Sequence, residues 1–79
     1  MNDEDLELQM FFDTIVENVK RERKARKISQ LTLAINILGH SSTAYVGKIE
    51  LRKDGANYNL ATLHKIAKEF GISIHQLIP

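Results

Sequence analysis

The stretch SSTAYVGKIE, residues 41–50, carries hydroxyl groups and one ammonium group but very few apolar side chains. Val46 and Ile49 lie one helical turn apart, so a helix here would turn only these two aliphatic residues toward the protein interior. Thr43 and Lys48 would then face outward, where a hydroxyl and an ammonium can donate hydrogen bonds. The spacing therefore predicts a short helix whose outer face contacts a ligand outside the protein.

The charges are unevenly distributed along the chain. Residues 1–18 carry six carboxylates and no Lys or Arg, whereas residues 19–53 carry nine Lys and Arg against two Glu. A basic middle segment of this kind can face a polyanion while the acidic end stays clear of it. A solvated helix surface would give the same counts, so charge alone leaves both interpretations open.

Length and composition narrow the class of protein. A chain of 79 residues without cysteine predicts one domain in a reducing compartment, and the cytoplasm is the expected location. No apolar run approaches the roughly 20 residues that a bilayer requires, and the acidic start MNDEDLEL lacks the basic flank of a signal peptide. Membrane insertion and secretion are therefore not expected.

The three histidines do not form a recognisable site. His40, His64 and His75 have neither the spacing of helical metal ligands nor flanking carboxylates. No glycine-rich phosphate loop, nucleophile elbow or carboxylate pair is present, so we expect no enzyme activity, no metal and no cofactor.

Apolar periodicity and capping residues predict an all-α fold of five helices. An acidic N-terminal extension, residues 1–10, precedes a single domain, residues 11–79. The first predicted helix runs from about Phe11 to Arg26, and the second covers QLTLAINIL, with Ser29 as its cap and Gly39 as its stop. The third runs from Thr43 to about Leu51 and is capped by Ser42. The fourth is capped by Asn59 and runs to Phe70 before Gly71, and the fifth starts at Ser73, with Gln76 completing a capping box.

The second and third predicted helices are short and are joined by a glycine-containing turn. When the second member of such a pair has a polar outer face, the arrangement is a helix-turn-helix, in which that member enters the DNA major groove. Gly47 within this helix costs roughly 1 kcal/mol relative to alanine. Its presence indicates a close contact, either with DNA or with the preceding helix.

The chain resembles the lambda-repressor-like, or Xre-type, helix-turn-helix regulators of bacteria and their phages. The resemblance covers roughly residues 15–78 and rests on four segments in order: NVKRERKARKISQ, SQLTLA, YVGKIE and NLATLHKIAKEFGISIHQLI. They are similar to the family's basic first helix, its Ser-Gln helix start, its recognition helix and its last two helices.

This resemblance implies roles for individual residues. Base contacts are expected from the outer side of the recognition helix, at Ser42, Thr43, Ala44, Gly47 and Lys48. Phosphate contacts are expected from Gln30, Arg52 and Lys53. Tyr45 could donate its hydroxyl to the DNA backbone or simply cover the neighbouring loop. The resemblance also implies that Arg23 pairs with Glu50 and so fixes the angle of the recognition helix.

Two features depart from the family pattern. The segment from Gln30 to Val46 is two residues longer than in the tightest family members, with one extra residue before Gly39 and one after it. This longer turn shifts the expected register of the base-facing residues by about one position. The acidic extension is the second departure, since the family's minimal domain lacks it.

Many large apolar side chains lie near the two ends of the chain: Met10, Phe11, Phe12, Ile74, Leu77 and Ile78. Residues left over from the core would form a two-fold dimer interface, and the dimer would read half-sites roughly 34 Å apart. The same residues could instead complete the monomer core.

The sequence favours a sequence-specific regulator of transcription, most simply a repressor, whose partners are an operator in double-stranded DNA and a second copy of the chain. An antitoxin or a controller of a restriction–modification system would use the same fold, with a toxin or another regulator as protein partner. An adaptor that binds protein through the apolar ends and does not bind DNA is the alternative from a different class.

Overall fold

The first helix, α1, begins eight residues earlier than the apolar rhythm indicated. In the computed structural model, which describes residues 2–79, α1 spans Asp3–Ala25. Asn2 caps it, since its Oδ1 accepts a hydrogen bond from the backbone N–H of Asp5 at 2.8 Å. The first turn is acidic, which suits the positive end of the helix dipole. From Asp3 onward the acidic segment is therefore helical and continuous with the remainder of α1.

The C-terminus of α1 is closed by Lys27, which has a positive φ of 58°. The N–H of Lys27 donates to the carbonyl of Lys24 at 2.9 Å, and the N–H of Ile28 donates to the carbonyl of Arg23 at 3.1 Å. These two bonds form the Schellman motif, in which glycine usually occupies the left-handed position. Lysine here satisfies the last carbonyls at some cost in backbone strain.

The second helix, α2, is a π-helix over Thr32–Ile37 and is entered by one helical turn at residues 30–31. Ser29 caps this turn as predicted, because its Oγ accepts from the N–H of Thr32 at 3.0 Å. The N–H of Leu38 donates to the carbonyl of Leu33, five residues back, at 3.0 Å. A π-turn holds one residue more than an α-turn, so it accommodates extra length before Gly39, whose φ of 73° ends the helix.

Helix α3 spans Ala44–Glu50 and starts one residue later than predicted. Ser42 is not its capping residue: its Oγ accepts from the N–H of Ala44 at 3.0 Å, in a turn that precedes the helix. A 3₁₀ turn over Lys53–Gly55 follows, entered through Arg52 in the left-handed conformation with φ 53°.

Helix α4, Leu60–Phe70, confirms the predicted caps at both ends. The Oδ1 of Asn59 accepts from the N–H of Thr62 at 2.8 Å, and Gly71 stops the helix with φ 68°. Its buried face, which includes Leu63 and Ile66, lies on the protein core.

The predicted fifth helix is wrong beyond its cap: Ser73 is the capping residue as predicted, but the capping box with Gln76 does not form. Residues Ile74–Gln76 form a single 3₁₀ turn, in which Ser73 accepts from the N–H of His75 at 3.2 Å. The side-chain amide of Asn18 donates to the carbonyl of Leu77 at 3.0 Å, so the backbone is tied to α1 at the point where a helix would continue. Leu77 itself is fully buried.

The core is formed where α1, α2, α3 and α4 meet, and within residues 2–79 the protein is all-α with no strand. Its largest fully buried side chains are Leu33, Ile66, Leu77, Val16, Val19 and Val46. Among these residues no helix is both long and apolar enough to cross a bilayer.

Candidate nucleic-acid interface

Helix α3 is held by two side chains and leaves one face open. Val46 is completely buried and Ile49 nearly so. At 3.6 residues per turn the opposite face is centred on Ala44 and Leu51, seven positions apart, with Lys48 beside them. All three are exposed, and Leu51 is 80% exposed, more than any other large apolar residue described.

Two of the predicted base-contacting residues, Ala44 and Lys48, belong to this open face, and Ser42 and Thr43 directly precede the helix. Ser42, Thr43, Ala44 and Lys48 are exposed. Gly47 is half-buried, and the nearest side-chain atom to the position its Cβ would take is Oε1 of Gln30, at 3.4 Å. An added Cβ would make an ordinary van der Waals contact there, so the packing against the turn that enters α2 does not require glycine at this position.

The orientation of α3 is fixed by an ion pair to α1. Arg23 donates from Nε to Oε2 of Glu50 at 2.7 Å and from Nη2 to Oε1 at 2.9 Å. The side chains are only 8% and 4% exposed. Arg23 also donates from Nη1 to the carbonyl of Ile28 at 2.8 Å, which ties the chain leaving α1 to the same group. The structure thus contains the pair that the family resemblance implied.

Glu50 is held in its ionised form despite its burial. Burial raises the pKa of Glu50. The hydrogen bonds from Arg23 and Gln30, together with the charges of Arg23 and Lys20, lower it by more than burial raises it, so the pKa lies below its ordinary value. The ion pair therefore persists at neutral pH.

Gln30 belongs to this network, which bears on its predicted phosphate contact. Its Nε2 donates to Oε1 of Glu50 at 2.9 Å and so joins the start of α2 to the end of α3. A primary amide has two N–H donors. One of them remains for a ligand.

Arg52, which is also expected to contact phosphate, makes four hydrogen bonds within the protein. Its Nε donates to Oδ1 of Asp13 at 2.9 Å, its Nη1 to the carbonyls of Gly55 and Ala56 at 2.9 and 2.8 Å, and its Nη2 to Oε1 of Gln9. The guanidinium also lies over the ring of Phe12, 5.3 Å from its centroid. A guanidinium has five N–H donors, so these four bonds leave one on Nη2, and they make Arg52 a structural link between α1 and the turn after α3.

Tyr45 and Lys53, the other expected phosphate contacts, have different surroundings. Lys53 is exposed. The ring of Tyr45 is half-buried and stacks on His40 with centroids 3.5 Å apart, and it meets the edge of Tyr58 at 6.3 Å. Tyr45 therefore covers the turn before α3, one of the two roles considered for it.

The hydroxyl of Tyr58 is buried without a hydrogen-bond partner among residues 2–79. Burial, with the nearby negative charge of Glu50, raises the pKa of Tyr58. The phenol therefore stays neutral at physiological pH and packs as part of the core.

Arginines and lysines in the basic segment have separate roles. Arg23 and Arg52 donate hydrogen bonds within the protein, as described above. Arg26 likewise donates to Glu22 and to the carbonyl of Phe70 at 3.1 Å. Arg21 pairs with Glu22 at 3.3 Å. By contrast, within residues 2–79 no carboxylate lies in ion-pair distance of the five lysines of this segment: Lys20, Lys24, Lys27, Lys48 and Lys53.

Three residues near the open face were missed by sequence reasoning. Leu51 could have been found from its spacing, since it follows Ala44 by seven positions and Lys48 by three. Lys20 and Lys24 line a cleft beside α3. Their four-residue spacing places them on one face of α1, but only the packing of α1 against α3 shows which face that is.

No three His, Cys, Asp or Glu side chains among the described residues come together in a way that could hold a metal ion. Comparison of the chain with protein-family models, with curated proteins and with solved structures finds no match.

Proposed function

We propose that this chain is a sequence-specific DNA-binding regulator of transcription, built as a lambda-repressor-like helix-turn-helix domain, in which α2 and α3 form the motif. Helix α3 lies in the major groove, and the protein acts most simply as a repressor that occupies an operator. It binds rather than catalyses, and it works in the cytoplasm of a bacterium or in a phage-infected cell.

One observation carries this proposal. The outer face of α3 is exposed along its length while the helix is anchored to α1 by a buried two-point ion pair. A rigidly held helix with an open face meets the requirement for groove reading, in which a few side chains must reach base edges from a fixed position. A solvated surface helix has no need of such an anchor.

The side chains on that face suit base recognition. Lys48 can donate to O6 or N7 of guanine, a contact that discriminates between bases by roughly 1–3 kcal/mol when well placed. Thr43 and Ala44 offer methyl groups to thymine, and Ser42 lies just ahead of them. Lys53 and the remaining N–H of Gln30 are suited to phosphates, which position the protein without reading sequence.

The separation of roles between arginine and lysine gives further support. Lysine ammonium groups without intramolecular partners can neutralise phosphates and release their counterions, which is the main source of salt-dependent affinity for DNA. We therefore expect binding that weakens steeply as salt rises.

A second copy of the chain is the expected protein partner. The C-terminal apolar residues complete the monomer core, with Leu77 fully buried. Of the N-terminal ones, Phe12 packs against the core, whereas Met10 and Phe11 are 58% and 41% exposed on α1, and nearby Leu6 is 50% exposed. We place the dimer interface on this part of α1, with the two copies of α3 reaching half-sites about 34 Å apart.

The same exposed apolar residues favour a second candidate function, that of an adaptor that binds another protein and does not bind DNA. An antitoxin or a restriction–modification controller would combine DNA binding with such a partner. The adaptor differs in requiring no cation on the face of α3.

Binding of random-sequence DNA duplexes at low salt tests the proposal. We expect the wild type to bind and the double variant Lys48→Ala/Lys53→Ala to lose most of its affinity. The matched control is Lys65→Ala/Lys68→Ala, which removes two exposed lysines from α4 and should bind as the wild type does. Absence of wild-type binding, or equal losses in the two double variants, would favour the adaptor.

A further inference from the structure

A cleft of about 390 Å³ opens between α1 and α3, next to the outer face of α3. Its lining combines three cations of α1 with Gln30 at the start of α2, with Gly47 and Glu50 of α3, and with Leu51 directly after α3; the α1 residues are Lys20, Arg23 and Lys24. None of the residues predicted to contact bases lines it except Gly47. The cleft therefore borders the open face of α3, which it shares at Leu51, and extends from there to α1.

The base of the cleft is electrically balanced. Oε2 of Glu50 accepts from Arg23, and its Oε1 accepts from Arg23 and Gln30 at 2.9 Å each. The lining holds three cations and this one carboxylate, so it keeps two positive charges in excess even though the charge of Lys20 also acts on Glu50. Lys20 is half-buried and Lys24 is exposed, and neither has an ion-pair partner within residues 2–79. The cleft consequently presents two uncompensated positive charges.

The opposite wall of the cleft is not polar. Gly47 contributes bare backbone, and Leu51 contributes an isobutyl group that is 80% exposed to solvent. A ligand that fills the cleft must therefore place an anionic group against Lys20 and Lys24 and an apolar surface against Leu51. A sugar-phosphate unit has both parts side by side.

We infer that the cleft holds one stretch of the DNA backbone, with phosphate oxygens at Lys20 and Lys24 and the adjoining deoxyribose against Leu51. This inference rests on the proposed function. It also orients α3 in the groove, because the Gly47 side of the helix then faces the bordering strand. Lys48, which lies about 100° further round the helix, then faces the base edges.

The dependence of binding on salt tests this assignment, since each phosphate contact contributes about −0.9 to the slope of log K against log salt. For the double variant Lys20→Gln/Lys24→Gln we expect the magnitude of the slope to fall by about 1.8 with base preference unchanged, as two such contacts are lost. Lys65→Gln/Lys68→Gln is the matched control for net charge and should keep the wild-type slope. Lys20→Arg/Lys24→Arg should restore it.

The Leu51→Ala variant tests the sugar contact separately. Because Leu51 is so exposed, the variant should unfold at a thermal midpoint close to that of the wild type. Its affinity for DNA should fall about equally for all sequences. A change of preference at one base position would instead place Leu51 against a base and would overturn this part of the inference.

The outcomes separate the inference from the function on which it rests. If the wild type binds no DNA, the proposed function fails and the inference fails with it. If the wild type binds DNA and the Lys20→Gln/Lys24→Gln variant keeps both its thermal midpoint and the full salt slope, the inference alone is overturned.

Discussion

Arg23 and Glu50 meet in a two-point ion pair that joins the last turn of α1 to the last residue of α3, with N–O distances of 2.7 and 2.9 Å. Gln30 adds a third donor to the same carboxylate. This carboxylate thus connects the end of α3 to α1 and to the start of α2, which lie 27 and 20 positions earlier in the chain. The position of the open face of α3 relative to the remainder of the protein depends on it.

Replacement of Glu50 by Ala should be strongly destabilising. It leaves the guanidinium of Arg23 buried without a counter-charge, so we expect the free energy of unfolding to fall by about 3–5 kcal/mol. Urea unfolding followed by circular dichroism measures this loss. Glu69→Ala, at an exposed carboxylate on α4, should change stability by no more than about 0.5 kcal/mol. Similar losses in both variants would show that the ion pair does not hold α3.

The same pair predicts a dependence of stability on pH. Since the pKa of Glu50 is lowered in the folded protein from an ordinary value near 4.5, its stabilising contribution is fully present above that pH. It is lost as pH falls through the lowered pKa, because the unfolded chain binds the proton more readily. The difference in unfolding free energy between wild type and Glu50→Gln should therefore shrink below pH 4.5. A difference that stays constant through the acid range would contradict this account.

Lys27 offers a stabilising substitution. Its φ of 58° is a left-handed conformation, which costs an L-residue roughly 1–2 kcal/mol and glycine little. Allowing for the greater freedom of glycine in the unfolded chain, we expect Lys27→Gly to stabilise the protein by about 1 kcal/mol and to raise Tm by about 4–8 °C. Differential scanning calorimetry provides the measurement. Lys24→Gly, within the last helical turn, should be destabilising by about 1 kcal/mol instead.

The structural role of Arg52 can be separated from a DNA-binding role. Loss of its hydrogen bonds to Asp13, Gln9 and the turn after α3 should lower the free energy of unfolding of Arg52→Ala by about 2–4 kcal/mol. The neighbouring Lys53→Ala should stay within about 0.5 kcal/mol of wild type. An Arg52→Ala variant with unchanged stability and weakened DNA binding would restore the phosphate contact and contradict the structural role.

Local signals predicted the parts of the fold that local chemistry determines. Asn59 and Gly71 bound α4 as expected, and Ser29 caps the turn that enters α2. The fifth helix was wrong because the backbone near Leu77 is fixed by a tertiary hydrogen bond from Asn18, which no local pattern reveals. The N-terminal start of α1 was missed because apolar periodicity detects a helix only where it meets a core.

The candidate site was predictable to a similar degree. The outer residues of α3 follow from helical spacing, and the pairing of Arg23 with Glu50 was implied by the family resemblance. Counting charges could not separate Arg52 from Lys53, because the partners of Arg52 lie 39 and 43 positions away at Asp13 and Gln9. The cleft at Lys20 and Lys24 likewise depends on how α1 packs against α3.

Selection of bound duplexes from a random pool, made in parallel with the wild type and Lys48→Ala, is the most direct measurement of the central claim that α3 reads base edges. We predict that the wild type enriches a recurring sequence, repeated with two-fold symmetry if the dimer forms, and that Lys48→Ala loses preference at one position of each half-site while the remainder persists. No enrichment by the wild type, or an identical enriched sequence from the variant, would contradict it.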